Sequence, residues 1–522
     1  IFVIFVSIFF IFLIPRLIYL GYDTYGFDSY FWDQRSDRFV DSVISLNFEK
    51  TYRSYHPGVT VMILSGTAKG IFQNAVKLVF GYNIRLVEGV VYARWFFINH
   101  FVSLFPLVTV ISLILSIVCV GLYKLKVPLL YILFFAFFLS VEPFFLGISK
   151  FLHVTALETV LVFAFFMFIY FINENIKSKK IWVATGVILG LGLLTKISAI
   201  IVIPFGALIL FFPILKSFKN KKIFLSETKN KILIMAVILI TALVTCVVLW
   251  PSLWVNFAGT LTKIYQDGIR DDAFDATPAP TILNNRYLYY PEILLMRTTG
   301  LTFISFLISI FLVFKEKNKK LKEIIIINFL FVAYYFSIMS IPDKKLDRYI
   351  NNVFPSVLMG ASFTFYYIFM QLRIKGKKII SNVFIGVIIF YYMLNLYVYF
   401  PTFSAIHSDL FGGFAGYSKL ARIKNRGEYY INAVIFINNK DGRKADTENL
   451  VIPQGGKDKS ARGFPGKIFT DDKDVKSGKA NYYLPDFQDL QEIPKDKNCE
   501  LIQTFGPRWP LQFDYLYLYE CQ

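Results

Sequence analysis

Apolar runs of about 20 residues alternate with short polar breaks along the first 400 residues. A helix crossing the hydrocarbon core of a bilayer needs about 20 such residues. On that measure the pattern predicts about eleven spans, at 1–20, 99–123, 127–147, 151–173, 180–196, 197–215, 232–250, 298–314, 323–341, 349–371 and 379–400. The stretch after the first span is different, being polar, aromatic and acidic from Gly21 onward. Within it Phe39, Val43 and Leu46 fall at helical spacing in 36–47, and 57–80 is apolar and helix-compatible. Both suit helices lying along a membrane surface. The stretch 251–297 is similar, with Trp250, Trp254 and Tyr265 as interfacial anchors. After Pro401 Gly, Asn, Asp and Lys surround short apolar runs, VIFI at 434–437, LVIP at 450–453, ANYYLPDF at 480–487 and FDYLYLYEC at 513–521. These read as strands of a small α/β domain. The fold class expected is an α-helical polytopic membrane protein, with a transmembrane core at 1–400, surface helices in a long first outer loop, and an extracytoplasmic α/β domain at 401–522.

Composition agrees with this and removes some alternatives. At 56% hydrophobic residues and a mean hydropathy of +0.53, the chain is too apolar for an ordinary soluble protein. The net charge of +19 is placed in short loops. Lys124 and Lys126, then Lys177, Lys179 and Lys180, then 216–231, 315–322 and 373–378 fill every second loop, which marks those loops as cytoplasmic. The alternate loops then face outward: 21–98, the turns at Lys150 and Lys196, 251–297, 342–348 and the tail. No basic helix or aromatic-basic platform stands clear of the loops, so nucleic acid is not an expected partner. Bulky residues, Pro15 and Arg16 stand where a signal-peptide cleavage site would need small ones, so 1–20 reads as a first span of a multi-pass cell-membrane protein. The chain opens on Ile1 rather than Met, and its true N-terminus is expected upstream. Cys119 and Cys246 lie in apolar runs as plain buried thiols, whereas Cys499 and Cys521 could pair if the tail is outside the cytoplasm.

Ionisable residues near spans are costly and mark function by default. On this topology they collect at the outer level: Asp28 and His56 in the first loop, Glu142, Lys150, His153 and Glu158 around the next turn, then Lys196, Arg297, Lys344, Lys345, Asp347 and Arg348. Cations at a lipid–water boundary suit a phosphate or pyrophosphate headgroup, Arg as a fork and Lys as a point charge. Asp28 could accept the proton of an attacking hydroxyl. Structural readings stand beside these. Asp28 could cap a helix, His56 could shape the turn before Pro57 and Gly58, Lys196 and Arg348 could snorkel, and Glu142, Lys150, His153 and Glu158 could form an ion-paired turn.

FDSYFWDQRS, TYRSYHPGVT, SVEPFFLGISKFLHVTAL, GLLTKISA, LWPSLWV, LLMRTTGL and KKLDRYI occur in this order. As an ordered set they resemble the C-type membrane glycosyltransferases of the protein O-mannosyltransferase and aminoarabinose transferase superfamily, in its bacterial and archaeal branches. The resemblance implies a polyprenyl-phosphate sugar as donor, mannosyltransferase-like chemistry, an extracytoplasmic site and transfer with inversion. The acceptor would be the hydroxyl of a protein or of a cell-envelope glycan or lipid. Asp28 matches the first acid of the family's Asp-Glu pair, with Ser29 in place of the Glu. His153 is followed by Val154 and Thr155 where the family often has His-Thr-Asp, leaving Glu142 or Glu158 as a possible second acid. The expected site is therefore Asp28 and His56 for catalysis, with Lys196, Arg297, Arg348, Lys345, His153 and Lys150 toward the phosphate. No cofactor or metal is expected, because His56, His100, His153 and His407 make no HxxxH or HExxH pair and the acids are scattered. A transporter or flippase of lipid-linked sugars is the rival of another class, but internal repeats and broken midplane spans are not visible. A degenerate, non-catalytic relative is the third reading, suggested by Ser29 and Thr155.

Overall fold

The computed structural model describes residues 1–84, 89–174, 178–217, 221–271, 285, 287–418, 427–453, 457–470, 481–488 and 498–521. Lys177 and most of 272–286, both part of predicted loops, lie outside them.

Helix occupies every stretch predicted to span. Seven helical segments are long and apolar enough to cross a membrane, and Leu129–Val141 with Pro143–Ser149 makes an eighth if the bent pair is one span. Phe2–Leu17 and Gly300–Lys315 are apolar but shorter, and Lys179–Thr195 has only 17 residues. Among the described residues seven or eight segments thus meet the length and composition needed to cross, against the eleven predicted. The shortfall comes from local breaks. At Glu142 the pair bends by 68°, where Pro143 opens the second helix and has no amide hydrogen to continue the first.

The helices that position the site are α1 (Phe2–Leu17), α2 (Phe27–Ile44), α3 (Val59–Phe80), α4 (Gly89–Lys124), α5 (Leu129–Val141), α6 (Pro143–Ser149), α7 (Val154–Asn173) and α8 (Lys179–Thr195). The predicted surface helices of the first loop are α2 and α3, packed on each other. Helix α7 is the axis of the bundle. It is apolar on all sides and buried from Val154 to Ile172, touching α4, α8, Val202–Phe211 and Phe354–Ile374. An all-round apolar helix has to lie inside a bundle or in lipid. Lys221–Leu249 takes the other course, with Ile232, Leu233, Ile240, Leu243, Val244 and Val248 exposed. An apolar face of that extent belongs against acyl chains, and the chain is a multi-pass membrane protein.

Loops assigned to one side by their charge meet one another. At one end Gly58 N–H donates to Thr195 O (3.1 Å) and Tyr52 stacks on Trp250. Lys150 pairs with Asp23, and Arg348 with Asp28. At the other end Lys231 donates to Asn173, and Lys320 pairs with Glu174.

The C-terminal region carries a mixed five-stranded sheet, in the order β2-β1-β3-β5-β4. Its strands are β1 (Asn449–Val451), β2 (Lys467–Phe469), β3 (Tyr482–Tyr483), β4 (Cys499–Phe505) and β5 (Leu516–Cys521). Three of the four predicted strand runs lie in it, and Cys499 is bonded to Cys521 across the β4–β5 pair. The fourth run, VIFI at 434–437, is helical, within Tyr430–Asp441, where Tyr430, Ala433, Val434 and Ile437 form one buried stripe. Four consecutive apolar residues have no period of their own, so a buried helix face and a strand look alike in sequence.

Candidate active site

Helix α2 starts at Phe27 with Gly26 as N-cap, so Asp28 lies in the first turn rather than at the cap. A carboxylate there is favoured by the positive end of the helix dipole. Asp28, Trp32 and Arg35 share one face at i, i+4 and i+7. Trp32 is buried, and the Arg35 guanidinium lies 4.8 Å from its ring centre. The next turn is built for that ring. Gly58 has φ +62°, and a Cβ on it would come within 2.0 Å of the Trp32 indole. Only glycine fits the HPG turn, which places His56 beside Tyr55 with ring centres 4.3 Å apart.

Lys196 follows the last turn of α8 in an extended conformation. Its ammonium is 3.1 Å from Glu158 Oε2 and lies over the Tyr349 ring at 4.3 Å. Glu158 also accepts from Ser198 Oγ and from Asn352 Nδ2, the latter at 3.3 Å. His153 caps α7, its Nδ1 accepting from Thr155 N–H at 3.1 Å. In the neutral ring that bond leaves the proton on Nε2. Arg348 Nη1 is 2.5 Å from Asp28 Oδ2, and its neighbour Asp347 takes Arg297 Nη2 at 2.6 Å. Arg297 also donates to Ile406 O at 3.0 Å, tying in the segment after the last membrane helix.

Asp28, His56, His153, Glu158, Lys196 and Arg348 therefore come together, and Arg297 joins them through Asp347. Lys344 belongs here as well. Burial first, then the electrostatic influence of Lys196, His153, Arg348 and Lys344, holds the His56 imidazole well below its ordinary range. His56 is a neutral hydrogen-bonding group at pH 7, with Nδ1 buried and unpartnered.

Three predicted residues lie elsewhere. Glu142 is fully buried and accepts from Thr299 N–H at 2.8 Å and Thr302 Oγ1 at 2.6 Å, pinning the break between α5 and α6. Lys150 is spent on Asp23 at 3.0 Å and Ile18 O at 2.7 Å. Lys345 donates to the carbonyls of Met339, Ser340 and Pro342. The four-residue ion-paired turn does not form, since Glu142 and Lys150 face other partners and only Glu158 pairs with a cation of the site, Lys196. Sequence reasoning passed over Tyr349 and Asn352, for which it had no signal, and Arg35, at i+7 from Asp28, was not among the residues chosen for the site.

Among the described residues no group of three or more His, Cys, Asp or Glu is arranged to hold a metal ion. Two open clefts, of about 520 and about 790 Å³, are lined by other residues, including Phe48 and Asn256 in one and Tyr92 and Arg462 in the other.

No protein-family model matches the chain, and no curated protein matches it. Among solved structures, the chain is similar to ArnT from Cupriavidus metallidurans bound to undecaprenyl phosphate, at 10% identity over 99% of this chain and 97% of that one, with a TM-score of 0.49. The apo state of the same protein matches at 11% identity and a TM-score of 0.47, over 99% and 97% of the two chains. Archaeal oligosaccharyltransferase AglB from Archaeoglobus fulgidus, in complex with an inhibitory peptide and a dolichol-phosphate, matches at 12% identity over 93% of this chain and 69% of that one, with a TM-score of 0.44. With TM-scores below 0.5, function has to be argued from this chain's own residues.

Proposed function

We propose that the chain is a membrane glycosyltransferase that moves a sugar from a polyprenyl-phosphate donor to an acceptor hydroxyl on the outer face of the cytoplasmic membrane. The observation that carries this reading is the meeting of Asp28 with Arg348 beside Lys196 at one end of an apolar bundle. An acid and several cations at a lipid–water boundary match a substrate that is half lipid and half anion.

In the proposed step the acceptor oxygen forms a bond to the anomeric carbon and the carbon–oxygen bond to phosphate breaks. The acceptor proton passes to Asp28, and the electron pair leaves with the polyprenyl phosphate. Arg348 and Lys196 face the charge that develops on the departing phosphate, which is where fixed cations lower a barrier most. Inversion at the sugar follows from a single displacement. Arg297 acts through Asp347 to hold Arg348 in place. In this reading the three shorter helices also cross, giving eleven spans, and the sheet-bearing region lies outside, with 401–414 as its tether. Protein, glycan or lipid hydroxyls all remain acceptors of the right chemistry, and a mannosyl group remains one donor among several.

Transfer from a synthetic polyprenyl-phosphate sugar in membranes containing the chain tests this. Asp28→Asn is expected to lower the rate by about 10²- to 10⁴-fold, the usual range for losing a general base. An unchanged rate removes the role given to Asp28.

A further inference from the structure

Lys196, Arg297 and Arg348 each already have a carboxylate partner, but the three pairs differ in how firmly they are held. Glu158 is fully buried and has Ser198 and Asn352 as well as Lys196. Arg297 is buried and adds the backbone carbonyls of Ser404 and Ile406 to Asp347. The Asp28–Arg348 pair is the open one, with side chains 33% and 21% exposed. It also has an unused donor, because Arg348 Nε is buried without a hydrogen-bond partner. A guanidinium with one nitrogen on a partly exposed carboxylate and another unsatisfied can change partners more readily than the two buried pairs. A phosphate offers it two oxygens in the fork geometry it prefers.

We propose that Asp28 and the donor phosphate compete for Arg348, and that this exchange sets the order of events in the site. The inference rests on the reading of Arg348 as a phosphate ligand. Before the donor enters, the Asp28 carboxylate is engaged by Arg348 and is not free to meet the acceptor hydroxyl. The phosphate draws Arg348 away and leaves the carboxylate free to take a proton, so the base is armed only when the leaving group is in place. After transfer the acceptor's proton is on Asp28, which in that form no longer attracts Arg348. The polyprenyl phosphate stays bound until the proton passes to water, and the restored carboxylate then recaptures Arg348 and helps expel it. One proton enters and one leaves per turnover.

Binding of undecaprenyl phosphate to the purified full chain in lipid nanodiscs tests the exchange without turnover. Removing the competitor is expected to tighten binding, so Asp28→Asn should bind about three- to tenfold better than the wild type. Asp28→Ala should change affinity in the same direction, so that one poorly folded variant does not decide the matter. Arg348→Gln should bind more weakly, and adding Asp28→Asn to it should bring no gain, as coupled partners require. Equal or weaker binding by both Asp28 variants, with the wild type binding normally, overturns the exchange and leaves the phosphate reading intact. Failure of the wild type to bind the lipid phosphate overturns both.

Discussion

Asp28 is one of five aspartates between residues 23 and 41, and what separates it from the others is its partner. Asp23 is neutralised by Lys150, and Asp33 and Asp37 share Lys69, while Asp28 alone faces Arg348 and the Lys196 side of the bundle. The same logic assigns His56 a supporting part. Its folded-state pKa is depressed below the ordinary value of about 6.5, by burial first. Below pH 6.5 the unfolded chain therefore binds a proton that the folded chain refuses. The stability this neutral ring contributes is present above pH 6.5 and is lost as the pH falls below it. The buried His407 ring, also depressed chiefly by burial, adds in the same direction. The apparent melting temperature in detergent should drop between pH 7 and pH 5, and His56→Gln should flatten part of that drop. An equally steep drop in the variant removes His56 as a source.

At the level of elements, the catalytic proposal depends on α2 keeping its place, and the device that keeps it is on α3. Lys69 is almost fully buried and lies 2.6 Å from Asp33 and 2.8 Å from Asp37. Replacing it with Met leaves two carboxylates facing each other without a cation. Their part exposure keeps the cost below the 3–5 kcal/mol typical of a fully buried broken pair, and about 1–3 kcal/mol is expected by thermal unfolding. The Gly58 turn is the second hold on α2. Gly58→Ala strains a left-handed backbone and drives a methyl group into Trp32, so loss of folded protein, or of transfer with the donor still bound, is expected. Normal transfer by Gly58→Ala shows that the HPG turn does not set the site.

For the whole molecule, the sheet-bearing region closes over the first loop. Lys459 lies over the Phe27 ring at 4.8 Å, Arg462 lies over Tyr30 at 4.8 Å, and Arg508 N–H donates to Val398 O at 2.8 Å. The Cys499–Cys521 bond closes a separation of 22 residues. Its removal by Cys499→Ser with Cys521→Ser is expected to cost about 3 kcal/mol by the chain-entropy relation. Sidedness is open to a direct measurement: a cysteine placed at Lys459 should react with a membrane-impermeant thiol reagent added to intact cells, and one placed at Lys315 should not. The reverse pattern inverts the proposed topology.

Much of the architecture was legible in the chain because the membrane imposes a simple code. Apolar runs become helices, since backbone groups in lipid must satisfy one another, and the lysine asymmetry sorted the loops into two sets that do meet at opposite ends. Asp28, His56, Lys196 and Arg348 also stood out as candidates in the sequence, because charge beside lipid is costly and so conspicuous, and the fold brings them together. Sequence did not determine which carboxylate each cation takes. Glu142, Lys150 and Lys345 look like site residues in one dimension, and in the fold they are engaged by Thr299 and Thr302, by Asp23, and by three carbonyls. Pairing acts between residues hundreds of positions apart, 320 in the case of Asp28 and Arg348. Only the fold that brings Arg348 to the first turn of α2 decides it, because an ion pair depends on distances of a few ångströms that no local periodicity encodes.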